Sequence, residues 1–232
     1  MKKVNHSKSK RFQEAEKLID TKKNYSLSEA LELVKKTSTV KFDATIEVHI
    51  NLGINPGKSD QQVRSSVALP HGSGKNVRVA VMASEADKQK AAKEAGADLI
   101  GDKELLEDIK RGQINFDILV ATPESMKLLG PVAKILGPKG LMPNPKDGTV
   151  TPQVAEAVKG LKKGKVSFKN DDTGNLHAII GKVSFETEKM VDNFNAVLES
   201  VKKAKPAGAK GRYIKSVSLA SSMGPGVKVV IE

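Results

Sequence analysis

Two stretches, His71-Gly72-Ser73-Gly74-Lys75 and Gly137-Pro138-Lys139-Gly140, hold the residue types with which a chain wraps phosphate: glycines that let backbone amides approach an anion, and a lysine to neutralise it. Neither has the four-residue spacer of a P-loop before Gly-Lys-Ser/Thr, and neither matches Gly-x-Gly-x-x-Gly at a strand end, so both also read as solvated turns. Material for acid–base chemistry is thin. Glu104, Glu107, Asp108 and Asp117 are spread over helix and strand-edge positions, where surface ion pairing is the commoner role. His49 and His177 fall on polar strand faces, and no Ser or Cys stands beside either at a spacing that suggests a triad. The four histidines are scattered and cysteine is absent, so the sequence offers no thiolate metal site and no disulfide framework, and no cofactor is expected.

The C-terminal Ser221-Ser222-Met223-Gly224-Pro225-Gly226 is more informative. Gly224-Pro225-Gly226 between two strands makes a tight turn whose amides can approach another chain, with Ser221, Ser222 and Met223 at its rim. Small residues beside hydroxyls suit an RNA sugar and phosphate surface, because the ribose 2′-OH both donates and accepts; an ordinary hairpin turn would look the same. Lys41-Phe42-Asp43, the segment from Asn170 to Lys182 and this turn are separate in the chain. Brought to one strand-built face, they would make a patch of lysine, hydroxyl, amide and one aromatic.

The elements that must do this are legible as two kinds of pattern. From Lys41 to Gly53, Phe42, Ala44, Ile46, Val48, Ile50 and Leu52 alternate with Lys41, Asp43, Thr45, Glu47, His49 and Asn51, which is a half-buried strand. Ser26 and Glu29 before it have capping-box spacing for a helix. Asn55-Pro56-Gly57 supplies a turn, and Gln61 to Leu69 reads as a second strand and the hairpin partner of the first. From Val77 the pattern changes to a continuous apolar run, Val77 to Ala83, followed by helices and short strands in alternation as far as a helix over Pro152 to Gly164. That alternation predicts βαβ units and a mostly parallel sheet. After Gly164 the period-two pattern returns, with an amphipathic helix marked by Met190, Phe194, Val197, Leu198 and Val201. The fold class is therefore α/β in two domains: a split α+β domain with an antiparallel sheet from both termini, residues 1–68 and 161–232, and an inserted Rossmann-like three-layer α/β domain, residues 69–160. Two hinge strands near 68–72 and 158–164 join them, with Leu69, Pro70, Gly160 and Gly164 as hinge residues.

Charge follows the same division. Residues 70–160 carry 13 Lys+Arg against 12 Asp+Glu, while the flanks carry 26 against 15, so most of the net +12 lies outside the middle and points to a polyanionic partner for the flanks. No Trp, two Tyr and six Phe argue against gripping single strands by successive base stacking. No apolar segment long enough for export or membrane spanning occurs in the sequence, and a cytoplasmic setting without a membrane partner is expected.

Several long motifs occurring in order carry a resemblance: KFDATIEVHINLGINP with SDQQVR, LPHGSGK, ILGPKGLMPNPKDGTV, FKNDDTGNLHAIIGK and KPAGAKGRYIKSVSLASSMGPGV. Over essentially its whole length the chain resembles the L-one family of large ribosomal subunit proteins, in its bacterial form. The resemblance implies a non-enzymatic protein, monomeric off the ribosome, that binds large-subunit rRNA at the mobile lateral stalk, helps deacylated tRNA leave the E site, and represses translation by binding its own operon's mRNA. It also implies RNA contacts at Lys41, Phe42, Thr45 and Glu47, at Lys169, Gly174 and His177, and at Ser216, Ser222, Met223 and Gly224. The family usually has Thr where this chain has Ser222; the hydroxyl is kept, and the lost methyl removes packing of about 1 kcal/mol. Two rivals predict different behaviour: a nucleotide-dependent enzyme housed in residues 70–160, or a basic nucleic-acid chaperone without a preferred target.

Overall fold

The structure, a computed structural model, describes residues 8–230. In chain order its elements are α1 (Lys10–Lys17), α2 (Leu27–Thr37), β1 (Thr45–Leu52), β2 (Arg64–Ala68), β3 (Val79–Met82), α3 (Ala86–Glu94), β4 (Leu99–Gly101), α4 (Lys103–Lys110), β5 (Ile118–Ala121), α5 (Ala133–Leu136), α6 (Val154–Lys162), β6 (Lys165–Lys169), β7 (Asn175–Lys182), α7 (Thr187–Lys203), β8 (Ile214–Ser221) and β9 (Val227–Val229). They form two compact units. The first takes the chain up to Val63, Leu69–Ser73 and everything described from Phe168 on; the second takes Arg64–Ala68 and Gly74–Ser167.

The first unit is built on an antiparallel sheet in the order β7-β1-β8-β9. Alternation along β1 sends Ile46, Val48, Ile50 and Leu52 to one side, where all are buried together with Leu176, Ala178 and Ile180 of β7, Val217 and Leu219 of β8, and Val227 and Val229 of β9. Helices α2 and α7 cover that side with Ala30, Leu31, Val34, Met190, Phe194, Val197 and Val201. Burying each large aliphatic side chain contributes about 1.5–3 kcal/mol, which fixes the register, since a slip of one residue would turn this set outward. The helices start where their sequences say they should. Ser26 Oγ accepts the Glu29 N–H, and the Glu29 carboxylate accepts the Ser26 N–H, a complete capping box on α2.

The second unit holds a parallel sheet in the order β4-β3-β5. Val79 to Met82 are all fully buried because both faces are covered. Ala80, Met82, Leu119 and Ala121 pack on Leu105, Ile109 and Leu136, while Val79, Val81 and Val120 pack on Ala92, Val154, Val158 and Leu161. Two cores on one sheet make the three layers that the unbroken apolar run predicts. No helix among the described residues is long and apolar enough to cross a membrane.

Several expectations are corrected. The strand after the Asn55-Pro56-Gly57 turn is not the hairpin partner of β1: β2 pairs with β6, and both edges of β1 are taken by β7 and β8. Phe42, placed on the inward side by alternation, precedes the strand and is 57% exposed. The chain passes between the units after Val63, Ala68, Ser73 and Ser167, so residues 158–164 are not a crossing. Gly160 lies within α6, where its backbone is committed to the helix, and Gly164, at φ +98, ends that helix with its N–H on the Leu161 carbonyl. Leu69 and Pro70 stand beside a crossing, but Leu69 is buried and their segment is tied down: the fully buried Asn193 accepts the His71 N–H and donates to the Gly72 and Ile180 carbonyls. With these boundaries Arg64, Lys162, Lys163 and Lys165 join the second unit, leaving 22 Lys+Arg against 15 Asp+Glu in the first and 17 against 12 in the second. The excess is shared more evenly than the linear sequence suggests.

Candidate nucleic-acid interface

The side of the first unit's sheet that the helices do not cover is polar because period two leaves it no choice. Cross-strand registers put its residues in rows: Asn175, Asn51 and Ser216; His177, His49, Ser218 and Lys228; Ile179, Glu47 and Ala220; Lys182 and Thr45. The result is an open face of hydroxyl, amide, imidazole and charged groups, interrupted by Ile179 and Ala220. Two bulges shape it. Ile180 is the extra residue where β7 passes Ile46 and Glu47, and Lys215 is the extra residue where β8 passes Asn51 and Leu52.

The turn after β8 joins this face at the Thr45 end. Ser222 N–H donates to the Thr45 carbonyl at 2.9 Å, and Ser222 Oγ lies 3.4 Å from the same oxygen. Chain reversal is centred on Ser222 and Met223, closed by Gly224 N–H on the Ser221 carbonyl at 2.8 Å; Pro225 and Gly226 lead into β9 instead of forming the turn. Met223 takes φ +63 and is 73% exposed. It is the only non-glycine with positive φ among the described residues, at the turn position that normally demands Gly. Such a conformation costs on the order of 1 kcal/mol, so the exposed thioether is held out against a local preference. Gly224 leaves no room for a Cβ, which would collide with Ser221 Oγ, itself buried and without a hydrogen-bond partner.

Lys41 and Phe42 are exposed beside the same end of β1. Asp43 fixes them: its carboxylate accepts Ser184 Oγ at 2.8 Å and Ser184 N–H at 3.1 Å, with Lys182 Nζ at 3.7 Å, and the Ser184 hydrogen bonds hold its pKa below the ordinary value. Gly174 is at the opposite end, with its carbonyl on the Leu52 N–H. It is buried, and φ +82 together with a close Leu52 carbonyl explains why glycine stands there. The preceding Asp171 builds the turn, accepting the Asn175 and Thr173 N–H groups and the Thr173 hydroxyl, which hold its carboxyl far below the usual range. Lys169 is exposed on β6, which belongs to a different sheet. Of the residues singled out in the sequence, Thr45, Glu47, His177 and Ser216 share the open face and Ser222, Met223, Gly224, Lys41 and Phe42 cluster at one end; Gly174 and Lys169 do not join them.

At the centre of the face, His49 Nδ1 and His177 Nδ1 are 2.7 Å apart, with the rings edge to face. Partial burial, and then the charge of His177, push the His49 imidazole below its ordinary pKa against the opposing pull of Glu47. By contrast, the two glycine-rich stretches do not make phosphate loops. His71–Lys75 leads into strand β3 with no helix N-terminus to receive an anion, and His71 Nε2 is 2.9 Å from Asp192. Gly137–Gly140 follows a four-residue helix and leads to another turn.

The family model of the Ribosomal protein L1p/L10e family matches residues 34–225. The chain belongs to that family. Among its curated relatives, the Large ribosomal subunit protein uL1 of Kosmotoga olearia is 53% identical over 222 residues, 96% of each chain. The protein of the same name from Thermosipho melanesiensis is also 53% identical, over 95% of each. As a member of the L1p/L10e family the chain is a structural ribosomal protein and not an enzyme, which removes the nucleotide-dependent rival. Every site residue from Lys41 to Gly224 lies inside the span matched by the family. Sequence reasoning placed Asn51 on the polar side of its strand but missed Asn175, Ser218 and Lys228 as its neighbours on the face. These three join the face only through pairings that the sequence does not state.

Proposed function

We propose that the open face of the four-stranded sheet, with the Ser222–Gly224 turn and Lys41-Phe42 at one end, binds ribosomal RNA. Both relatives are named as proteins of the large ribosomal subunit, and this chain, alike over nearly its whole length, is a structural constituent of that subunit. The observation that carries the reading is one sheet with a packed apolar side and a side rich in hydroxyl, amide and imidazole groups, which match ribose and phosphate in hydrogen bonding. Lys41 neutralises phosphate, Phe42 packs on a sugar or base, and Ser222 with the turn amides reaches 2′-OH groups. Thr45, Glu47, Ser216 and His177 line the floor, Met223 and Gly224 shape the rim, and Lys169 and Gly174 contribute at the periphery.

The RNA is that of the mobile lateral stalk, where the protein assists release of deacylated tRNA from the E site, with the crossings beside Leu69 and Pro70 acting as hinge. A similar structure in the protein's own operon mRNA competes for the same face, so free protein represses its translation. The test is competition binding of the full-length protein to a stalk-rRNA fragment against an unrelated structured RNA of equal length, over a salt series. Preference for the stalk fragment persisting at high salt, and weakened by Met223→Ala, is the expected result. Equal affinities, falling only with a salt slope of about 0.7 to 0.9 per phosphate contact, would reduce the protein to a general polyanion binder.

A further inference from the structure

The open face is short of cations at its centre. The row through Glu47 offers Ile179 and Ala220, the row through Asn51 offers Asn175 and Ser216, and β8 contributes Ser218 to the histidine row between them. The charged groups around them are Glu47 on β1, Asp171 before β7 at 3.7 Å from His177 Nε2, Lys182 on β7 beside Asp43, Lys215 at the bulge toward Gly53, and Lys228 on β9 at the end of the histidine row. Two carboxylates therefore stand near the middle and the lysines stand at the margins. A polyanion laid across the sheet meets only two groups there that can become positive, His49 and His177.

Their geometry limits what they can hold. At 2.7 Å between Nδ1 atoms, one ring must donate an N–H and the other must accept with a lone pair. The contact is satisfied with no added proton or with one, and a second would set two N–H groups against each other. The ring that carries the added proton uses its Nδ1–H within the pair; on His49 the Nε2–H is left for an outside acceptor, whereas on His177 it faces the Asp171 carboxylate at 3.7 Å. We propose that the His49–His177 pair takes up one solvent proton when RNA docks, and that the resulting imidazolium serves a phosphodiester oxygen at the centre of the face. This inference rests on the RNA-binding function proposed above. It makes affinity a function of pH: the bound phosphate favours the charged pair, so binding strengthens as pH falls and weakens as it rises.

The experiment measures the affinity of the full-length protein for the stalk-rRNA fragment from pH 5.5 to 8.5 at constant ionic strength. Proton uptake is counted by calorimetry in buffers of different ionisation enthalpy. The wild type is expected to lose about tenfold in affinity across the range, corresponding to a shift of about one pKa unit, with uptake peaking at about half a proton midway between the free and bound pKa values. His49→Gln with His177→Gln is expected to bind with a flat profile and no uptake, whereas His71→Gln, whose ring pairs with Asp192 away from this sheet face, keeps the wild-type slope. Specific binding with the same pH slope in wild type and the double variant overturns the inference and leaves the RNA face standing. Absence of any preference for the stalk fragment at every pH overturns both. Amide NMR of the free double variant, matching the wild type except beside the two substitutions, shows that the sheet has kept its fold.

Discussion

The two larger of this protein's three sheets are made from different kinds of strand. In the second unit β3 is buried along its whole length, and helices close both sides of the sheet; in the first unit β1 spends every second residue on a side that no helix covers. A sheet sealed on both sides can bind only at its ends. There, beyond the carboxyl ends of β3 and β5, Thr122, Ser125 and Ser84 hydroxyls bond to one another. A sheet sealed on one side has a whole surface to offer, already hydrogen-bonding in character. The family's RNA work therefore fits the first unit, although the second unit has the architecture associated with nucleotide binding.

The largest effect should come from placing one carboxylate on each sheet. Val81→Asp buries an unpaired charge and is expected to cost at least about 4 kcal/mol, unfolding the second unit, whereas Ser216→Asp, at an exposed position of the open face, costs under about 1 kcal/mol. Urea denaturation followed for both variants decides it, and equal losses would erase the distinction between the sheets. Next is Asn193→Ala, which strands the His71 N–H and the Gly72 and Ile180 carbonyls in the first unit and should cost about 3 kcal/mol. A loss below about 1 kcal/mol in the same assay would mean that this anchor does not hold the Leu69–Ser73 segment.

Much of this contrast is written in the sequence, because period two and continuous apolar runs are local signals. The inner and outer residues of β1 from Thr45 to Leu52, and the three layers around β3, follow from them directly. Pairing is not a local signal. The partner of β2 is β6, about a hundred residues on, and nothing in Gln61 to Leu69 distinguishes that from a hairpin with β1. Phe42 was misplaced for a similar reason: alternation continues past the point where the strand stops, and only Asp43 binding Ser184 ends it. The Gly-Pro-Gly sequence marked the right place for the C-terminal turn, but the left-handed residue is Met223, which no propensity would nominate.

Two smaller effects probe the ends of the open face. Gly224→Ala is expected to weaken stalk-RNA binding about tenfold by pushing the turn away from Ser221, at a stability cost of about 1 kcal/mol. Adding Ser221→Ala should recover most of the affinity, and no recovery would mean that the turn's shape is set elsewhere. Asp171→Asn should change stability in a pH-dependent way. The folded carboxyl titrates lower than the unfolded one, so its contribution is present above the unfolded value of about 3.9 and is lost as pH falls below it toward the folded value. The difference in melting temperature between wild type and variant should be greatest above pH 5 and shrink toward pH 2; a constant difference would show that the turn does not depend on the ionised carboxylate.

His49 and His177 are neighbours across 128 positions of chain. A nascent chain releases β1 with both of its edges bare and then delivers the second unit, which has nearly all of its own strands and helices before β7 appears. That unit can close during synthesis, while β1 waits for partners that come out last. The histidine pair, the Thr45–Ser222 contact and the rows between them do not exist on a partial chain. An interrupted translation product therefore lacks the assembled open face, whose rows and turn are complete only in a molecule synthesised through β9.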